Sequence, residues 1–142
     1  MLSRMLLLAT TAAAAPALAV GAPGAMTCRT VAADPQRTWR FVPVGARWQV
    51  THWTGAQERD AVSLALPAST EVRLSPQAVS VAARTSNGGI ALALSGTPEQ
   101  ATLDVYVSYE LEVNVDTSLT PRIDELNTEG PTGVRCEVRA AP

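Results

Sequence analysis

The chain of 142 residues contains no lysine, one histidine, one phenylalanine and two cysteines. Without lysine, side-chain Schiff bases and lysine general bases are excluded. With His52 as the sole imidazole, any Ser-His-Asp arrangement would have to pass through it, and no G-x-S-x-G elbow surrounds a serine. One histidine and two cysteines are too few for a closed nitrogen and sulfur metal centre. No cofactor is expected. Charge of one sign is also scarce: 11 arginines face 13 acidic residues, a net charge of −2, with no block of like charge. Nucleic acid and anionic membrane surfaces are therefore not expected as partners.

What is present begins with an export signal. MLSRMLLLATTAAAAPALA carries a basic residue at Arg4, an apolar run from Met5 through Ala15 and the small-x-small end Ala17-Leu18-Ala19. That order marks a cleaved secretory signal peptide over residues 1–19, and the run is too short to span a bilayer. Ala22 and Ala25 offer later small-residue cleavage sites, and the β domain is placed at 26–142. Cys28 follows Ala25-Met26-Thr27, which does not suit lipoprotein processing. The mature chain of about 120 residues suffices for one domain with its own core. No membrane span is expected after cleavage, and the compartment is the bacterial periplasm or the exterior.

In such an oxidising compartment Cys28 and Cys136, which bracket the domain, read as one structural disulfide tying the first strand to the last. Redox-active pairs usually stand closer in sequence.

Periodicity of two dominates the rest. From Thr102 to Asp116 the residues Leu103, Val105, Val107, Tyr109, Leu111, Val113 and Val115 alternate with polar neighbours, the pattern of a half-buried strand, long enough to expect a bend or bulge. Ala61–Leu66 and Glu71–Leu74 flank a Pro-Ala-Ser turn. Ala78–Arg84 and Ile90–Leu94 flank Thr85-Ser86-Asn87-Gly88-Gly89, where Asn-Gly signals a hairpin. Val134–Arg139 forms the last strand. The single helical signal is Thr120–Asn127, where Thr120 can cap, Pro121 suits the first helical position and Asp124 and Glu125 lie early. Seven to nine short strands predict an all-β fold, a small antiparallel β-sandwich (Ig-like) or a short barrel. The Cys-Trp-Cys order is similar to the immunoglobulin pattern only loosely, because the cysteines here are terminal.

Candidate binding residues cluster at RWQVTHW, Arg47 to Trp53, which holds His52 and two of the three tryptophans. A two-residue turn at Gly45-Ala46 would pair Val44 with Arg47, Phe41 with Val50 and Trp39 with His52. Trp39, Phe41, Pro43, Trp48, Val50 and His52 then share one face, and Arg40, Gln49, Thr51 and Trp53 the other. The first face is either core or a platform for a sugar or apolar ligand, fixed by Arg40, Arg47 or His52. Trp53, opposite the core side, is expected to be an exposed anchor.

The acids invite two further readings. Asn114, Asp116, Asp124, Glu125 and Glu129 crowd the Thr117–Gly133 connection, but without D-x-D-x-D-G spacing no specific Ca2+ site is expected. Glu110 and Glu112 would share a strand face about 7 Å apart, and a solvated charged face accounts for them. The segment LNTEGPTG is expected to be exposed. The resulting expectation is a non-catalytic binding module whose partner is another exported or cell-surface protein, with a carbohydrate or small apolar ligand as the alternative.

Overall fold

A computed structural model of the chain describes residues 23–108 and 120–140. Nine strands run in chain order: β1 Pro23–Thr30, β2 Arg37–Val44, β3 Arg47–Thr54, β4 Val62–Ala65, β5 Glu71–Leu74, β6 Val79–Arg84, β7 Ile90–Thr97, β8 Gln100–Val107 and β9 Thr132–Ala140. A 3-10 helix, η1 (Thr120–Leu126), precedes β9. All pairings are antiparallel and join the strands into one sheet of order β4-β3-β2-β1-β9-β8-β7-β6-β5. The chain thus starts at the centre of the sheet, meanders out to one edge, crosses to the other edge and meanders back.

Alternation of apolar and polar residues gives each strand one buried side. β8 alternates without a break: Ala101, Leu103, Val105 and Val107 are buried and the residues between them exposed. Residues from both ends of the sheet, Val62 and Leu64 on β4 and Val79 and Val81 on β6, belong to one core cluster with Met26, Trp39 and Leu103. The sheet must therefore curl over itself, as in a sandwich, without closing into a barrel. Two features permit this. Only five residues, 66–70, link the opposite edges β4 and β5. At the other side, β9 pairs with β8 over just Thr132↔Leu103 to Val134↔Ala101, while it pairs with β1 over a much longer stretch.

Where β9 leaves β8, the residues after η1 take its place. The Asn127 side chain accepts from the Val107 amide at 2.6 Å and donates to the Val107 carbonyl at 3.2 Å. Thr128 exchanges bonds with Val105 in the same way, through its amide and its hydroxyl. The segment beginning at Leu126 is therefore docked at its start rather than exposed throughout: Leu126 is buried, Asn127 and Thr128 are half-buried, and Glu129–Pro131 and Gly133 reach solvent. η1 packs against β8 and β4, and its Ile123 and Leu126 complete the core. No acid lies in its first turn, so Asp124 and Glu125 sit late rather than early.

The Asn-Gly hairpin forms between β6 and β7, with Gly88 at φ 81°. Of the long alternating segment, β8 ends at Val107; Tyr109 to Asp116, with Glu110, Glu112, Asn114 and Asp116, lie outside the described residues. Cys28 stands directly opposite Cys136 on β1 and β9, and the two form a disulfide on the core side. Among the described residues, no helix is long and apolar enough to cross a membrane.

Candidate functional site

The β2–β3 hairpin forms in the register that its two-residue turn dictates, with Val44↔Arg47, Phe41↔Val50 and Trp39↔His52. Gly45 takes φ 63°, the left-handed conformation such a turn requires. The face bearing Trp39, Phe41, Val50 and His52 is core; Trp48 is half-buried against it, and Pro43 at the hairpin tip is exposed.

His52 is 2% exposed, and both ring nitrogens are engaged. Nδ1 lies 2.8 Å from the Thr38 carbonyl. A carbonyl only accepts, so Nδ1 carries the proton and Nε2 presents its lone pair to the Arg37 guanidinium, 3.5 Å away. Burial, reinforced by the Arg37 charge and opposed by the Thr38 bond, lowers the His52 pKa from 6.5 to about 4. The imidazole is therefore neutral at physiological pH.

Its neighbours hold η1. Arg37 Nη2 donates to the carbonyls of Glu125 at 2.7 Å and Asn127 at 3.0 Å. Trp39 Nε1 donates to the Leu126 carbonyl at 3.0 Å. Three consecutive carbonyls at the end of the 3-10 helix, which its own backbone cannot satisfy, thus find donors on β2. Arg37 also stacks over Trp39, 4.7 Å from its ring centroid, and the Trp39 and His52 rings approach to 4.7 Å. Arg37, Trp39 and His52 form a structural clamp.

Trp53 departs from expectation. It points away from the core, yet it is only 7% exposed and does not present an open anchor. Arg40 lies over its ring at 5.0 Å, and the Arg40 guanidinium grips both Glu58 oxygens at 2.8 and 2.6 Å, which brings the 55–61 segment alongside. That two-point contact holds the Glu58 carboxyl below its ordinary range and raises Arg40. Of the candidate residues in the hairpin, Trp39, His52 and Trp53 are buried, Trp48 and Arg40 are half-buried, and Arg47, beside the turn, is the exposed charged group.

The outward side of the second half of the sheet holds a shallow concavity of about 340 Å3 that the hairpin does not share. Register aligns Tyr106, Ala91 and Arg84 in one cross-strand row and Asp104, Ala93, Ala82 and Glu71 in the next. Alanine side chains stop short, so the middle of each row is a floor between taller polar walls. Tyr106 is 55% exposed. An aromatic on the polar side of β8 was the available sequence signal for this site. The alanines became meaningful only once the strands were aligned. Arg37 had no signal in sequence, since its role depends on η1, far along the chain.

No group of three or more His, Cys, Asp or Glu side chains among the described residues could hold a metal ion. The class that fold and site define is a single-sheet, disulfide-bridged β domain whose outward surface carries its uncommitted polar groups. Comparison of the chain with protein-family models, with curated proteins and with solved structures finds no match in any of the three.

Proposed function

We propose that the protein is a binding module that catalyses no reaction, exported to the bacterial periplasm or beyond, with another exported or cell-surface protein as its partner. The observation that carries this reading is the state of His52: the one imidazole is buried, neutral and engaged at both nitrogens, so it is committed to holding the fold. Both cysteines are committed likewise. Recognition is left to the outward face of the sheet, where arginines, carboxylates and Tyr106 meet solvent.

The export signal at residues 1–19 and the core-side disulfide support the location. Strand pairing begins at Pro23, so cleavage after Ala19 leaves β1 whole, whereas cleavage after Ala25 would remove its first residues.

Site-specific photo-crosslinking in the exporting cell tests this reading. A photoreactive residue replacing Tyr106 or Arg135 is expected to give an adduct with one defined exported protein. Absence of protein adducts at both outward positions contradicts it.

A second reading, recognition of a carbohydrate or small ligand, is favoured by the alanine-floored concavity, where the Tyr106 ring could stack on a sugar face and Arg84, Glu71 and Asp104 could bond its hydroxyls. It no longer rests on Trp39 and Trp53, which are buried. Glycan-array binding that Tyr106→Ala abolishes would support it, and an array with no signal would remove it.

A further inference from the structure

Arg29 on β1, Arg40 on β2 and Arg135 and Arg139 on β9 lie on the outward side of three adjacent strands. The register sets Arg29 directly opposite Arg135. Like charges in that position destabilise an antiparallel pair, because their side chains stand directly across from each other on one side of the sheet. These three strands supply one carboxylate to the same surface, Glu137, 3.7 Å from Arg29. Glu58 approaches from one margin and is already held by Arg40. Glu99 lines the same shallow depression as Arg135 at the other margin and is not in an ion pair with it. Among the described residues, Arg135 and Arg139 make no ion pair. A chain with more acids than bases has therefore gathered positive charge on one face, at a cost to its own strand pairing.

We propose that this face docks an acidic segment of a partner protein, with Arg29, Arg135 and Arg139 receiving its carboxylates. The proposal rests on the reading of the protein as a binding module and names the chemistry of the partner. Arg40 and Glu58 show on this same surface the fork-to-carboxylate geometry that such a segment would reproduce. Arg135 and Arg139 stand four residues apart on one strand, about 13 Å, which matches two acids four residues apart on an extended peptide laid alongside. Glu137 lies between them and repels a continuous polyanion, such as a sulfated glycan or an anionic lipid surface, but not a peptide with a neutral residue at that level.

Fluorescence anisotropy with a labelled ten-residue peptide that carries glutamates four residues apart and serines between them, measured on the full exported protein, tests the proposal. Binding is expected at low ionic strength and should weaken as salt is raised. The double variant Arg135→Gln, Arg139→Gln is expected to lose about tenfold in affinity, whereas Arg73→Gln, on β5, changes nothing. Arg135→Gln alone should also raise the thermal midpoint, because it relieves the Arg29 pairing; an arginine kept for structure would leave the midpoint unchanged or lower it. Equal peptide binding by the double variant overturns the proposal, as does binding confined to heparin or to phosphatidylglycerol vesicles run in parallel. If the peptide fails while crosslinking from Tyr106 still captures one exported protein, this proposal falls and the binding-module reading survives. If both fail, both fall.

Discussion

His52 carries its proton on Nδ1 and turns a bare Nε2 toward a guanidinium, so a second proton would place two cations in one buried cluster. The unfolded imidazole titrates near 6.5 and the folded one near 4. Between those values the unfolded state binds more protons, so stability is fully present above pH 6.5 and falls as the pH drops toward 4, by up to about 3 kcal/mol. Carboxylates ordinarily titrate below this window's upper part, which leaves pH 5 to 6.5 largely to the sole histidine. Urea midpoints should decline from pH 7 to pH 5 in the native protein and stay level over that range in His52→Gln; parallel declines would contradict the assignment. Gly96 makes a sharper residue-scale case. Its φ is 137°, and a Cβ there would meet the Gln100 carbonyl oxygen at 2.5 Å. Because the obstacle is backbone, Gly96→Ala is expected to cost roughly 1–3 kcal/mol for the conformation alone, read as a fall in the thermal midpoint.

At the scale of elements, η1 is held in place by side chains from β2 and by the residues that follow it. Trp39→Phe keeps a buried ring and removes the donor to the Leu126 carbonyl, at an expected cost of about 1–3 kcal/mol for the orphaned acceptor. Asn127→Ala strips both partners from the free end of β8, and hydrogen exchange at the Val107 amide should accelerate while the β6–β7 amides keep their protection. Unchanged exchange at Val107 would show that another group closes this edge.

Several elements were readable in the sequence because their causes are local. Gly45-Ala46 sets the β2–β3 register, Asn87-Gly88 sets a hairpin, and Thr120-Pro121 starts a helical turn. The candidate site was less readable because its causes are distant. Alternation correctly turned Trp53 away from the core, but its covering depends on a contact between Arg40 and Glu58, 18 residues apart. The Tyr106 concavity depends on four strands aligning their alanines, and the arginine face on two strands from opposite ends of the chain.

Across the described residues the sheet is a meander whose first and last strands meet at its centre, and the disulfide joins them there. A sequence separation of 108 between Cys28 and Cys136 makes the bridge worth about 4–5 kcal/mol through the unfolded chain. Both cysteines are buried, so a reductant should act slowly on the folded protein, and the reduced form should unfold at markedly lower urea. The curled sheet directs its apolar side inward, with His52 sealed within the clamp, and leaves outward arginines and Tyr106 as the surface for the proposed recognition. The proposed export requires a chain that leaves the cytoplasm and closes its bridge outside it. Intact-mass spectrometry of the protein recovered from the exporting cell, after alkylation without reduction, tests that most directly. The predicted species begins at residue 20, carries no alkyl groups and is lighter by two hydrogens than its dithiol form; a species retaining Met1 and alkylated at both Cys28 and Cys136 would contradict the account.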